Sequence, residues 1–510
     1  MKVINWIDKN GLLVLTLILL AFIPLYPKIP LVSLTYSWVS IRWDDVLVSF
    51  TVLVYFVQLF RGKATWKTPV SKAVFSYWII GFIATLLGVL FIFPHLPLQF
   101  TSFPSVYIRN AALFFFRHIE YMLLLFVAYS SITDKKQLQY VITILLITIT
   151  LIILYGFGQR FIPYYFPAFS TMNEEFAKGQ MLFLNATDRL QSTFAGHYDF
   201  AAYLVMMIPL LGALIFGYKN WKMKLFLFIL AFMGVLALLW TASRTSFGVY
   251  FVAITCMLVL QKQKKWIIPV IVVSAALLFS FQNIWIRYAS TVKPVNAVYD
   301  KQGHFIGFAT DEGNNKYKII TTQPVGPLTQ PGTVAIKKDK PQVGTIIAQP
   351  TPKAGTTTGQ TATTAGQVKT GEYTIEKQQT LDISATTRLQ TEWPNAIKAW
   401  LRDPLFGSGF SSVGLATDGN YFRILAETGI LGIIAFLAIF FFYAKYVFIQ
   451  LKHIESPVVR SFVVGVSAGI LGIGLNAVLI DVFEASKIAY TLWLLMGVVL
   501  STLHCSTNKK

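Results

Sequence analysis

Long apolar stretches recur along the chain, at about 11–27, 44–60, 73–93, 111–131, 137–157, 198–217, 224–241, 246–261, 266–282, 420–449, 458–480 and 488–503. Roughly 17–25 apolar residues are what a helix needs to cross the hydrocarbon core of a bilayer. A barrel strand would instead alternate polar and apolar residues with a period of two. The runs do not alternate, so helices must satisfy the backbone hydrogen bonds inside the membrane. Composition agrees: 55% of the 510 residues are hydrophobic and 13% are charged, about half the usual charged share of a soluble domain. A soluble enzyme, a disordered chain and a secreted disulfide scaffold are excluded. Cys256 and Cys505, one in an apolar run and one in the tail, do not form a disulfide framework. The expectation is an all-α polytopic membrane protein with about 12 transmembrane helices. Pro24, Tyr26, Pro27 and Lys28 follow the first run where a cleaved signal would carry small residues.

The formal charge of +20 raises the question of nucleic acid, and its distribution answers it. With the N-terminus inside, the inside segments hold nineteen Lys and Arg, from Lys2 to Lys510. The short outside turns hold five: Lys28, Arg42, Arg109, Arg244 and Lys487. This is the positive-inside pattern. The excess charge therefore sets topology, and no nucleic-acid partner is expected. Twelve spans put both termini in the cytoplasm.

Three segments follow: 1–282 with nine spans, a large outside loop at 283–419, and 420–510 with three spans. The middle of the loop, about 320–371, is rich in Thr, Gly, Gln, Pro and Lys. Such a composition cannot bury a core and reads as a flexible insertion. At 384–402, Leu389, Trp393, Ile397 and Trp400 recur at helical spacing, which predicts an amphipathic helix. Pro394 marks a kink or a second start.

Charges at membrane depth are costly and usually functional. On this topology Asp44, Asp45, Glu120, Asp199, Asp418, Glu427, Asp481 and Glu484 gather near the outer face, with Arg117, Arg244, Arg388, Arg423 and Lys487 among the bases. Arg117 with Glu120, Arg423 with Glu427, Asp481 with Glu484 and Glu484 with Lys487 stand at helical spacing. Each oppositely charged pair read alone is an interfacial ion pair; together the charges predict a wet polar site opening outward. There is no GxxxxGK[ST] loop, no GxGxxG after a strand, no DxD pair and no HExxH. No metal, nucleotide or other cofactor is expected. An Arg-rich outward site suits a lipid-borne anion, because the guanidinium fork matches phosphate oxygens.

Three segments resemble the O-antigen ligase and polymerase superfamily, the Wzy/WaaL-like membrane glycosyltransferases. They are QSTFAGHYDFAAYLVMMIPLL (191–211), LLWTASRTSFGVYFV (238–252) with Arg244, and a longer signature at 387–437. The last carries Arg388, Trp393, Trp400, Pro404, Gly407, Gly409, Asn420, Glu427 and Gly429. The resemblance implies a GT-C-like fold with short amphipathic helices in the large loop. It implies transfer of a glycan from an undecaprenyl-diphosphate-linked donor to an acceptor hydroxyl on a glycan, lipid or protein, at the outer face of a bacterial cytoplasmic membrane. Many ligases of the family place a His just before the Asn; here Gly419 and Asp418 stand there, which favours a polymerase or a divergent member. On this reading Arg244 and Arg388 bind the diphosphate. Asp418 is the base and Glu427 its rival. Arg117, Arg423, Asn420, Gly407, Gly409 and Trp393 contribute to substrate binding. His197 reads as a helix-start residue.

Two other functions fit a polytopic chain. A lipid-linked oligosaccharide flippase or other transporter predicts ionisable residues at mid-membrane and repeat symmetry; the sequence shows few of the former and none of the latter. A non-catalytic assembly partner predicts an ordered, aromatic-rich loop, whereas the loop centre lacks aromatics between Tyr317 and Tyr373.

Overall fold

The structure is a computed structural model. It describes residues 2–33, 40–95, 104–170, 180–185, 188–281, 285, 292–299, 305–311, 317–320, 346–348, 374–381, 388–414 and 417–507. The described chain is mostly helical: α1 (Lys2–Leu25), α2 (Trp43–Phe60), α3 (Ser71–Leu87), α4 (Pro104–Ser131), α5 (Lys135–Phe161), α6 (His197–Gly217), α7 (Trp221–Trp240), α8 (Arg244–Leu260), α9 (Ile267–Ser280), α10 (Trp393–Trp400), α11 (Asn420–Gln450), α12 (Pro457–Asn476) and α13 (Ser486–Thr507). Every apolar stretch of the sequence falls on one of these helices. Among the described residues, ten helical segments are long and apolar enough to cross a membrane, which makes this a multi-pass membrane protein. The stretches at 246–261 and 266–282 form the shorter α8 and α9, of 17 and 14 residues.

Two units divide the chain, 1–285 with 395–510, and 286–394. The last part of the expected 283–419 loop thus belongs with the helices. In the helical unit α6 and α13 are the most enclosed spans. α12 lies along α6, and small residues set how closely: a Cβ on Gly465 would meet the Leu210 Cα at 2.6 Å, and one on Gly469 the Met206 carbonyl oxygen at 2.3 Å. Helices without a hydrophobic drive between them associate through such small-residue stripes. α13 packs on α4, α11 on α3, and α1 on α5, α2 and α4. Two short hairpins, β1 (Pro30–Ser33) with β2 (Ser40–Arg42) and β3 (Ala168–Ser170) with β4 (Gln180–Leu182), join helices at one end.

The second unit departs from the all-α expectation. It holds a five-stranded sheet, β5 (Val292–Tyr299), β6 (Phe305–Asp311), β7 (Tyr317–Ile320), β8 (Ile346–Ala348) and β9 (Thr374–Leu381), in the order β8-β7-β6-β5-β9. β9 returns antiparallel along the whole of β5, from Val292 opposite Leu381 to Tyr299 opposite Thr374. Val, Ile and aromatic residues before position 320 favour strands. Their partner lies more than fifty residues on, beyond the Thr/Gly/Pro-rich stretch, so local reading misses the pairing. Apart from Ile320 at the end of β7 and from β8, the expected insertion at 320–371 lies outside the described residues. After Arg388–Glu392, a wide helical turn, the amphipathic helix starts at Trp393, with Pro394 in the first turn where its missing N–H costs nothing.

Candidate functional site

One end of the helical unit carries a belt of buried charge, built on α2, α4, α11, α13 and the turn between α12 and α13. α2 begins at a capping box: the Arg42 N–H donates to Asp45 Oδ2 at 2.9 Å. The other Asp45 oxygen accepts from Arg117 Nη1 at 2.5 Å and from the Tyr490 hydroxyl at 3.2 Å. The same guanidinium reaches Glu120 at 3.3 Å, the i,i+3 pair expected from sequence. The next residue on α4, His118, donates from Nδ1 to the Phe114 carbonyl and faces Glu484 through Nε2 at 3.1 Å. Burial opposes ionisation of Glu484, but the His118 imidazolium with Arg423 and Arg117 overrides it and holds the carboxyl at about 2.

Asp481 sits in a nest of successive backbone N–H groups, those of Thr417 (2.8 Å), Asp418 (3.2 Å) and Gly419 (3.0 Å). Such a nest is an anion site, and here the chain's own carboxylate fills it. Arg423, 1% exposed, donates to Asp481 at 3.3 Å and faces Glu427 at 3.6 Å. Glu427 also accepts from the Ser411 N–H at 3.0 Å. Lys487 does not meet Glu484 as its spacing predicts. It turns into the bundle, donates to the carbonyls of Pro24 (3.0 Å) and Thr193 (2.8 Å), and lies 4.8 Å above the Phe194 ring. The Pro24 carbonyl is an orphan of the α1 C-terminus, where a cation is favourable. Asp481 and Glu484 are both carboxylates and do not pair; they stand on a turn in which the Glu484 N–H donates to the Asp481 carbonyl at 3.3 Å.

Gly407 and Gly409 act in a way the sequence reading did not foresee. α11 is broken at Gly429, whose φ of 65° and ψ of −168° are not helical. Residues 404–409 lie against the break and take up the freed backbone groups. Ser408 and Gly409 donate to the carbonyls of Ala426 and Glu427 at 2.8 and 2.9 Å, and Ile430 and Leu431 donate to those of Pro404 and Leu405 at 3.0 and 3.2 Å. A Cβ on Gly407 would come within 2.5 Å of the Gly429 nitrogen. The glycines admit another backbone, and the close approach expected for a ligand is made by the protein itself.

The remaining expected residues divide. Asp418, partly buried, adopts a left-handed φ of 46° at the lip of the nest. Arg244 opens α8 behind its Ser243 cap. Two residues on, Ser246 donates to Asn476 Oδ1 at 3.2 Å, which ties this helix start to the end of α12. Asn420 stands in the same place: its N–H donates to the Ala477 carbonyl at 2.9 Å, and its Oδ1 accepts from the Phe483 N–H at 2.9 Å. The Nδ2 groups of Asn420 and Asn476 are fully buried and have no hydrogen-bond partner among the described residues. Arg388 and Trp393 belong to the second unit. His197 is the first residue of α6 and lies 2.7 Å from Arg189. Sequence reasoning missed His118, Tyr490 and Asn476; each sits in an apolar helix with no carboxylate at helical spacing. Arg117 and His118 lie mid-helix in α4.

Compared with known proteins, the sequence matches no family model and no curated protein.

Proposed function

We propose that this chain is a twelve-span protein of a bacterial cytoplasmic membrane. It transfers a glycan from an undecaprenyl-diphosphate-linked donor to an acceptor hydroxyl at the outer face. The observation that carries the reading is the pair of buried amide donors, Asn420 and Asn476, without a hydrogen-bond partner among the described residues and beside the helix start that bears Arg244. Buried donors are rarely left unmade, and their unmet capacity suits an anionic headgroup. Arg117 and Arg423 hold carboxylates; the diphosphate charge is assigned to Arg244, as the resemblance implies, together with the two amides. Asp418, at the nest's lip, takes the acceptor proton. The resemblance at 387–437 supports the same chemistry.

The transporter reading has one observation in its favour, the break of α11 beside buried charges. In transporters, interrupted helices line a cavity. Here residues 404–409 fill the break with backbone hydrogen bonds, and a packed scaffold is the better description.

Purified protein is expected to convert a defined lipid-linked glycan to a longer or transferred product. Arg244→Ala should lower the rate by about a hundredfold, the usual cost of one contact to developing charge. Arg244→Lys should lie between, keeping charge without the fork. Asp418→Asn should be similarly impaired at normal expression. Full activity of both Arg244→Ala and Asp418→Asn would refute these roles.

For the topology, single cysteines placed at Lys222 and Lys264 should be shielded from an impermeant thiol reagent in intact cells, and one at Lys340, outside the described residues, should react. Reaction at Lys264 but not at Lys340 would invert the orientation.

A further inference from the structure

The end of the helical unit opposite the buried belt carries charge of one sign. The turn after α6 and the first residues of α7 bear Lys219, Lys222 and Lys224, and the turn between α8 and α9 bears Lys262, Lys264 and Lys265. Packing brings the two turns together on α12. Gln261 donates to Ser461 Oγ at 2.7 Å, and a Cβ on Gly217 would lie 2.8 Å from the same oxygen. All six lysines are exposed, and none makes a side-chain hydrogen bond or ion pair among the described residues. Between Asp199 and Asp300 the sequence has no Asp or Glu. Orientation in the membrane does not demand this, because acidic residues count little in the positive-inside rule. At the α2–α3 turn of the same end, Arg61 and Lys63 are held by Asp8. The six lysines have no such acid, and the partner they fit is an anion from outside the chain.

The surroundings select the anion's carrier. Each lysine group adjoins an exposed tryptophan, Trp221 or Trp266, the residue type that settles at headgroup level. Beyond the tryptophans begin exposed apolar rows, Phe228 and Phe232 on α7 and Ile268 and Val272 on α9, each pair four residues apart on one helix face. A soluble acidic protein would set polar surface against those rows. A phospholipid sets phosphate against lysine and hydrocarbon against the rows. Two groups of three lysines, on two turns joined through Ser461, match two phosphates on one headgroup. We propose that these turns bind a diphosphatidyl lipid of the cardiolipin class, with one phosphate at each turn and acyl chains along α7 and α9. The site lies at the far end of α8 from Arg244 and does not depend on the transferase reading.

Native mass spectrometry of the full-length chain in detergent tests the site, with tetraoleoyl cardiolipin and dioleoyl phosphatidylglycerol as probes. Each lysine near a lipid phosphate is worth about fivefold in affinity, so three are worth about a hundredfold. Cardiolipin should therefore bind about a hundredfold more tightly than phosphatidylglycerol, which has one phosphate. The triple variant Lys219→Gln, Lys222→Gln, Lys224→Gln should lose about that factor for cardiolipin, and so should Lys262→Gln, Lys264→Gln, Lys265→Gln. The same triples to Arg should keep it. Lys67→Gln with Lys72→Gln, on the α2–α3 turn, is the control and should bind as the parent does. All these positions are exposed, so the fold is not at stake. Equal affinity for the two lipids would overturn the proposal, as would loss in only one triple variant or an equal loss in the control. Displacement of cardiolipin by an equal concentration of inorganic diphosphate at constant ionic strength would also overturn it and assign the lysines to a soluble anion.

Discussion

Arg423→Leu is expected to cost about 3–5 kcal/mol of stability, the range for removing one partner of a buried ion pair. The guanidinium is 1% exposed and faces two carboxylates, Asp481 at 3.3 Å and Glu427 at 3.6 Å. Its loss leaves both without their cation. Asp481 keeps the three N–H groups of 417–419, whereas Glu427 keeps only that of Ser411. Glu427 is thus the more damaged partner, and Arg423→Leu with Glu427→Leu should recover part of the loss. Arg423→Lys should be intermediate, since one ammonium cannot bridge both acids as the fork does. At the opposite end Arg61 and Lys63 bind Asp8 on an exposed surface, and Arg61→Ala should change little. Thermal unfolding in one detergent orders the variants. An Arg423→Leu protein as stable as Arg61→Ala would show that the belt carries no structural load.

Gly429→Ala and Gly407→Ala are expected to abolish folded protein. A Cβ on Gly429 would lie 2.2 Å from the Leu405 carbonyl oxygen, and its backbone angles belong to a region essentially reserved for glycine. Strain of about 1–3 kcal/mol is the smaller part. The larger part is displacement of residues 404–409, which frees four backbone hydrogen bonds inside a low-dielectric interior. Gly474→Ala is the control, because its Cβ would meet only the Tyr421 hydroxyl, at 3.5 Å. Size-exclusion profiles of the three variants decide the matter; a normal profile for Gly429→Ala would mean that the break in α11 is dispensable.

The helices were legible in the chain itself because a bilayer leaves a spanning segment one economical solution. An apolar run of sufficient length must satisfy its own backbone, and that condition is local. Hence the stretch at 420–449 already marked α11, and Arg423 and Glu427, four apart, already pointed at each other. Spacing reports only which residues share a helix face. It does not report what the face meets. Asp45 is 72 positions from Arg117, and Tyr490 is 373 positions from it. The nest that binds Asp481 comes from a loop more than sixty residues away. Gly407 reads as a substrate-binding residue, and Gly429 as one member of the 387–437 signature, until the two backbones are seen side by side. Sequence by itself determined the membrane class, the helix positions and the gathering of charge at one end. Tertiary packing alone decided which charges neutralise one another, which amides are left without partners, and which lysine-bearing turns meet. Those properties depend on distances between segments far apart in the chain, and no local periodicity encodes them.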